Sequence, residues 1–162
     1  MRDGKVFVDT NVLVYAYDRA AGQKHEDAAK IMRDLWDNGR GVISMQVLQE
    51  FFVTVTGKIA KPLDTLTARE VVRDLLKWNP VVITGDILIE AIDIHAAHKY
   101  SFWDSLIIAS AFEGGAATLL SEDLSDRQTV KTMVIRNPFK QHRLQVAKIT
   151  TKNGKRKVLK FE

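Results

Sequence analysis

Short β-branched runs alternating with amphipathic stretches predict an α/β domain built on a mostly parallel sheet of about five strands. Three observations carry this. KVFVD (5–9) is a strand-like run followed at once by TNVLVYAYD, whose apolar residues recur at helical spacing. The same alternation of run and helix continues down the chain. The breaks between elements fall at Gly39, Asn79-Pro80, Gly114-Gly115 and Asn137-Pro138, where turn chemistry belongs. A length of 162 residues suits one globular domain with a core of its own, and we find no internal repeat or low-complexity segment.

After the first strand and helix, KHEDAAKIMRDLWDNG (24–39) is an amphipathic helix through Ala28, Ile31, Met32 and Leu35, closed by Gly39. GVIS (41–44) follows as a buried strand. MQVLQEFFVTVTGKIA (45–60) carries apolar residues at 47, 48, 51, 52 and 55, a helical stripe despite its β-branched members. Beyond Pro62, TARE (67–70) has the form of a capping box opening a helix to Trp78. Asn79-Pro80 ends that helix; VVIT (81–84) is expected as a third strand, with a long helix from about Asp86 to Lys99 behind it. In SFWDSLIIASA (101–111) the spacing predicts a helix on which Asp104 shares a face with Ile107, Ile108 and Ala111. ATLLSED (117–123) is the fourth expected strand and TVKTMVIRNPF (129–139) the fifth. In the remainder, Asn153-Gly154 sits between two alternating runs, so residues 141–162 are either a basic hairpin or a disordered end.

Charge is unevenly distributed. Residues 1–140 carry 17 Lys and Arg against 19 Asp and Glu, a balance of −2, whereas residues 141–162 carry 7 against 1, a balance of +6. A mildly acidic body (1–140) with a basic tail (141–162) points to a polyanion partner such as RNA. No apolar run approaches the roughly 18 residues that span a bilayer, and the first residues do not resemble a signal peptide, so a cytoplasmic protein without membrane contact is expected. The absence of cysteine excludes disulfides, thiolate nucleophiles and Cys-ligated zinc.

The carboxylates form the informative set. Ligands of open α/β sheets bind at the carboxyl ends of the strands, and Asp9 and Asp123 fall there. Glu50 lies just outside the apolar stripe of its helix, and Asp104 completes four. Each has a plainer explanation as a helix cap, a turn residue or a solvated side chain. Together they are harder to dismiss. Two unit charges about 4 Å apart repel by about 1 kcal/mol in water and about 4 kcal/mol at an effective dielectric of 20, so clustered acids call for a cation. Carboxylates and water suit Mg²⁺ or Mn²⁺, which activate water for attack on a phosphodiester.

VDTNVLVYAYD, LQEFF, SFWDSLIIASA, LLSEDLSD and NPF, in this order, resemble the PIN domain family, and more narrowly the VapC-type ribonuclease toxins of toxin–antitoxin pairs. The resemblance runs from about Lys5 to Phe139. It implies an α/β/α sandwich whose acids hold Mg²⁺ or Mn²⁺ for endonucleolytic cleavage of single-stranded RNA, and a cognate antitoxin as partner; a homodimer is common in the family. By matching motif the acids are Asp9, Glu50, Asp104 and Asp123, with Asp126 as an auxiliary ligand and Asn11 and Ser121 as polar residues lining the site. The tail beyond Pro138-Phe139 departs from the family pattern.

No histidine is assigned to chemistry: His95 and His98 share a helix without a third ligand, and His25 and His142 lack partners. Trp36, Trp78 and Trp103, flanked by apolar helix positions, are expected in the core rather than as base-stacking surfaces. Two other readings stay open. One is a catalytically inactive PIN-like RNA-binding module. The other is a haloacid-dehalogenase-like phosphatase, although Asn11 stands where its second Asp belongs.

Overall fold

The computed structural model describes residues 4–140. The tail expected as a hairpin or disordered end lies outside the described residues. The chain runs β1 (Lys5–Val8), α1 (Thr10–Tyr17), α2 (Gln23–Asn38), β2 (Gly41–Val42), α3 (Met45–Gly57), α4 (Thr65–Leu75), α5 (Gly85–Ala97), α6 (Phe102–Glu113), β3 (Ala116–Leu120), β4 (Thr129–Val130) and β5 (Met133–Arg136). The sheet order is β2-β1-β3-β5-β4, with every pair parallel except β4 against β5.

From β1 the chain crosses to β2 on one side, then returns past β1 to β3 on the other. Right-handed crossovers in opposite directions place their helices on opposite faces. Accordingly α1 packs with α2, while α5 and α6 pair and α6 lies on β3; α3, the first helix of the second crossover, departs from this and packs against α1. This is the expected α/β/α arrangement. The core fills from the sheet with Phe7, Val8, Leu119 and Ile135, from α1 with Leu13, and from α3 with Phe51, all at 0% exposure. Helix α6 is buried over the whole of Ser105–Ala111, so Ile107, Ile108 and Ala111 belong to a stretch buried on every side rather than to a single apolar stripe.

Several local expectations are corrected. VVIT (81–84) is not a strand: Val81 makes one parallel bridge to Ser44, and Val82 is exposed. β2 is only two residues long before Ser44 turns the chain into α3, so no ladder exists for a further strand to join. The run 129–139 splits into β4 and β5, joined through Lys131 at φ 52° as an antiparallel hairpin. TARE does not open its helix. Asp64 caps α4, accepting a hydrogen bond from the Thr67 amide at 2.9 Å, and Thr67 lies inside the first turn. Other boundaries hold closely, including Gly39, which closes α2 in the left-handed conformation at φ 67°.

Of the three tryptophans expected in the core, two are exposed and Trp78 packs against it partly buried. Trp36 is 45% and Trp103 63% exposed, and Trp78 lies half-buried over Gly41, where any Cβ would overlap its ring. Flanking apolar residues placed these helices against the core, yet Trp36 and Trp103 project from their outer sides, while Trp78 packs against the core.

Phe51 meets Tyr17 edge to face at 5.3 Å in the middle of the α1–α3 contact. Phe51→Ala is expected to lower unfolding free energy by about 3–5 kcal/mol in urea titration.

Candidate metal and active site

The site is built at the point where the strand order reverses around β1. There the chains leaving β1 and β3 diverge, opening a crevice at the carboxyl end of the sheet. Asp9, the first residue past β1, caps α1: its Oδ1 accepts from the Thr10 amide at 2.7 Å. Its Oδ2 accepts from Ser121 Oγ, also at 2.7 Å, just past β3. Ser121 is fully buried and Asp9 is 8% exposed.

Glu50 reaches the crevice from α3. Ser44 caps that helix, and Gln46 and Glu50 stand one turn apart on it. Glu50 Oε2 accepts from Thr10 Oγ1 at 2.8 Å, and Oε1 from Gln46 Nε2 at 2.8 Å. Gln46 is 5% exposed, and its Oε1 is buried without a hydrogen-bond partner. Asp104 arrives on the first turn of α6. Ser101 caps the helix by accepting from the Asp104 amide at 3.1 Å and donates its own hydroxyl to Asp104 Oδ2 at 2.7 Å. The capping role and the presence of the carboxylate near Asp9 therefore coexist.

On the far side, exposed Asp123 accepts from Asn11 Nδ2 at 2.9 Å, and Asn11 Oδ1 accepts from the Glu122 amide at 3.3 Å. Asp126 stands apart from these four: its Oδ1 accepts from the Asn137 amide at 2.8 Å, beside Arg127 at 3.8 Å. Next to Asp123, Glu122 pairs with Lys24 and accepts from Tyr15 Oη at 2.6 Å, with Lys24 over the Tyr15 and Phe139 rings. Sequence reasoning missed Thr10, Gln46 and this Lys24–Glu122–Tyr15 group. The four-residue spacing from Gln46 to Glu50 was a signal for the second; nothing in the sequence joins Lys24 to Glu122.

The electrostatics follow from burial. Loss of solvent pushes the Asp9 carboxyl up from 3.8 to about 6, opposed by its hydrogen bonds from Ser121 and Thr10 and reinforced by the charges of Glu50 and Asp104. Among the described residues, no ion pair forms on Asp9, Glu50, Asp104 or Asp123. A buried acid facing two like charges suits a hard divalent cation, and the donors present are carboxylate and amide oxygens. No three Asp, Glu or His side chains among the described residues are already drawn together around such an ion. Each acid is instead held by a neutral donor: Ser121, Thr10, Ser101 or Asn11.

A mostly parallel sheet with a buried acid past β1, on which the charges of Glu50 and Asp104 act, leads to a recognised type of domain. The PIN domain model matches residues 6–129, and the chain belongs to that family. Among solved structures it resembles a toxin–antitoxin complex from Klebsiella pneumoniae at 18% identity and TM-score 0.60, covering 83% of this chain and 98% of that one. It also resembles VapC20 of Mycobacterium tuberculosis, a sarcin-ricin loop cleaving toxin, at 20% identity and TM-score 0.53, covering 71% and 87%. At these identities the likeness is one of fold. None of the curated proteins matches the chain.

The raised Asp9 has a stability consequence whose sign is set by proton binding. Between about pH 4 and 6 the folded chain keeps a proton that the unfolded chain releases, so stability falls as pH rises through that window. At neutral pH the ionised Asp9 then costs on the order of 1–3 kcal/mol. Without added divalent cation, Asp9→Asn is expected to raise the urea midpoint at pH 7 and leave it nearly unchanged at pH 4. A variant less stable than wild type at pH 7 contradicts the assignment.

Proposed function

We propose that this chain is a metal-dependent endoribonuclease of the VapC type, the toxin of a toxin–antitoxin pair acting in the cytoplasm. The observation that carries the reading is Asp9, buried and raised to about 6 with the charges of Glu50 and Asp104 set against it. Folding keeps this costly arrangement, and a bound cation would relieve it. Membership of the PIN family and the fold shared with a toxin–antitoxin complex and a toxin support the same reading. No helix among the described residues is long and apolar enough to cross a membrane.

In this reading Asp9, Glu50 and Asp104 hold Mg²⁺ or Mn²⁺, with Asp123 completing the set across the crevice and Asp126 as an outer auxiliary. A cation held there would supply an acidified water and positive charge to offset the charge that develops in phosphodiester cleavage. The protein residues place those acids. Ser121 and the Thr10 amide orient the two oxygens of Asp9, while Thr10 Oγ1 and Gln46 aim Glu50. Asn11 holds Asp123, and Ser101 holds Asp104. Water oxygen bonds to phosphorus as the bond to the 3′ oxygen breaks, leaving a 3′-hydroxyl and a 5′-phosphate. The partners proposed are RNA, single-stranded or structured, and an antitoxin protein. The exposed row Leu88, Ile89 and Ile92 on α5 is compatible with a homodimer.

Cleavage of pooled single-stranded RNA is expected to need Mg²⁺ or Mn²⁺, to stop with EDTA, and to fall more than about 100-fold in Asp9→Asn and Asp104→Asn, beyond the loss typical of outer-sphere partners. Folded wild type that cuts no RNA, or cuts it equally in both variants, favours the inactive binding module. Gln46→Ala is expected to weaken Mn²⁺ binding about 10-fold by calorimetry with an unchanged circular dichroism spectrum; equal affinity removes Gln46 from the positioning set.

A further inference from the structure

The site presents a problem of attraction. Four acids line or border it, no ion-paired Lys or Arg neutralises them among the described residues, and Lys24 is already engaged with Glu122. Beside the cation of the proposed function, a polyanion at this surface gains from a contact that does not depend on charge. Stacking of a base on an aromatic ring is such a contact, and it tolerates any base because each has a π-face.

Trp103 is placed for it. A tryptophan ordinarily removes a large apolar area from water, so a Trp 63% exposed is the informative departure. Trp103 immediately precedes Asp104 on the first turn of α6. Its backbone is tied to the acid site: Gln46 Nε2, which holds Glu50 at 2.8 Å, also lies 3.5 Å from the Trp103 carbonyl. Its ring is braced from one side by Phe102, edge to face at 5.3 Å, and Phe102 is itself packed against the core. The other exposed tryptophan, Trp36, leans on Trp78 near Lys5 and Gly41, at the opposite end of the strands, away from the acids.

We infer that Trp103 is a stacking platform for an unpaired base of the nucleic acid held at the acid site, and so a specificity-determining residue. The inference rests on the ribonuclease reading for its substrate. A base within a continuous duplex is already stacked on both faces and is denied to the ring, so the platform selects loops, bulges and ends over paired segments.

The test uses the full chain, Mg²⁺, and a short mixed-sequence single strand of 2′-O-methyl RNA, which resists cleavage, beside the same strand annealed to its complement. Tryptophan fluorescence and the anisotropy of a labelled strand are read for wild type, Trp103→Phe and Trp103→Ala. The single strand is expected to quench wild-type emission, and this quench to vanish in Trp103→Phe. Affinity is expected to fall about 10-fold in Trp103→Ala and less in Trp103→Phe, with thermal midpoints unchanged because the side chain is exposed. The duplex is expected to bind all three chains equally weakly. Single-strand affinity in Trp103→Ala within about two-fold of wild type overturns the platform, as does equal quenching by the duplex or no binding by wild type. Turnover is a separate readout. Metal-dependent cleavage with Trp103→Ala binding unchanged keeps the nuclease and removes the platform; a Trp103-dependent quench in a chain that cuts no RNA does the reverse.

Discussion

The hydrogen bond from Ser121 Oγ to Asp9 Oδ2, 2.7 Å long and buried, joins the ends of the two central strands where the chain paths diverge. The rest of the site depends on it. Asp9 also caps α1 through the Thr10 amide, so one carboxylate orients β1, β3 and the first helix together. The backbone repeats the link, because the Asp9 amide donates to the Leu120 carbonyl at 2.9 Å. A buried acid that sets three elements cannot be moved without moving the crevice.

That arrangement is held against electrostatic cost. A carboxylate taken out of water gains neither full hydration nor an opposite charge here, and Glu50 and Asp104 add repulsion. The fold answers with neutral donors rather than lysines or arginines. Hydroxyls and amides satisfy carboxylate oxygens without occupying the place of a cation, so the negative potential of the crevice is kept. A cationic side chain beside those carboxylates would neutralise them and compete with an incoming metal ion. Lys24 shows the contrast: it sits one step further out, on Glu122, where neutralisation does not reach the inner acids.

The neutral donors are drawn from distant parts of the chain in a way that couples the acids. Thr10 gives its amide to Asp9 and its hydroxyl to Glu50, forty positions away. Gln46 gives its amide to Glu50 and approaches the Trp103 carbonyl, one residue from Asp104. α1, α3 and α6 are thereby connected at their site ends by short side chains, on elements whose other contacts are core packing.

What the sequence determined by itself was periodic or local. Strand–helix alternation indicated the parallel α/β class, Gly39 closed α2, and the ordered motifs from VDTN to NPF carried the family resemblance. Local signals failed where a neighbour was missing or a better one was present. VVIT had strand composition but no long edge to join, and TARE lost its capping role to Asp64 three residues earlier. Tertiary structure decided which of the acids act on one another's charge. Asp9, Glu50 and Asp104 are brought to one crevice by the crossover past β1, whereas Asp126, close in sequence to Asp123, turns to the Asn137 amide instead. Pattern and capping act within a few residues, so a sequence displays them. Charge proximity, burial and the exposure of Trp103 depend on how separate elements pack, and no spacing along the chain encodes that directly.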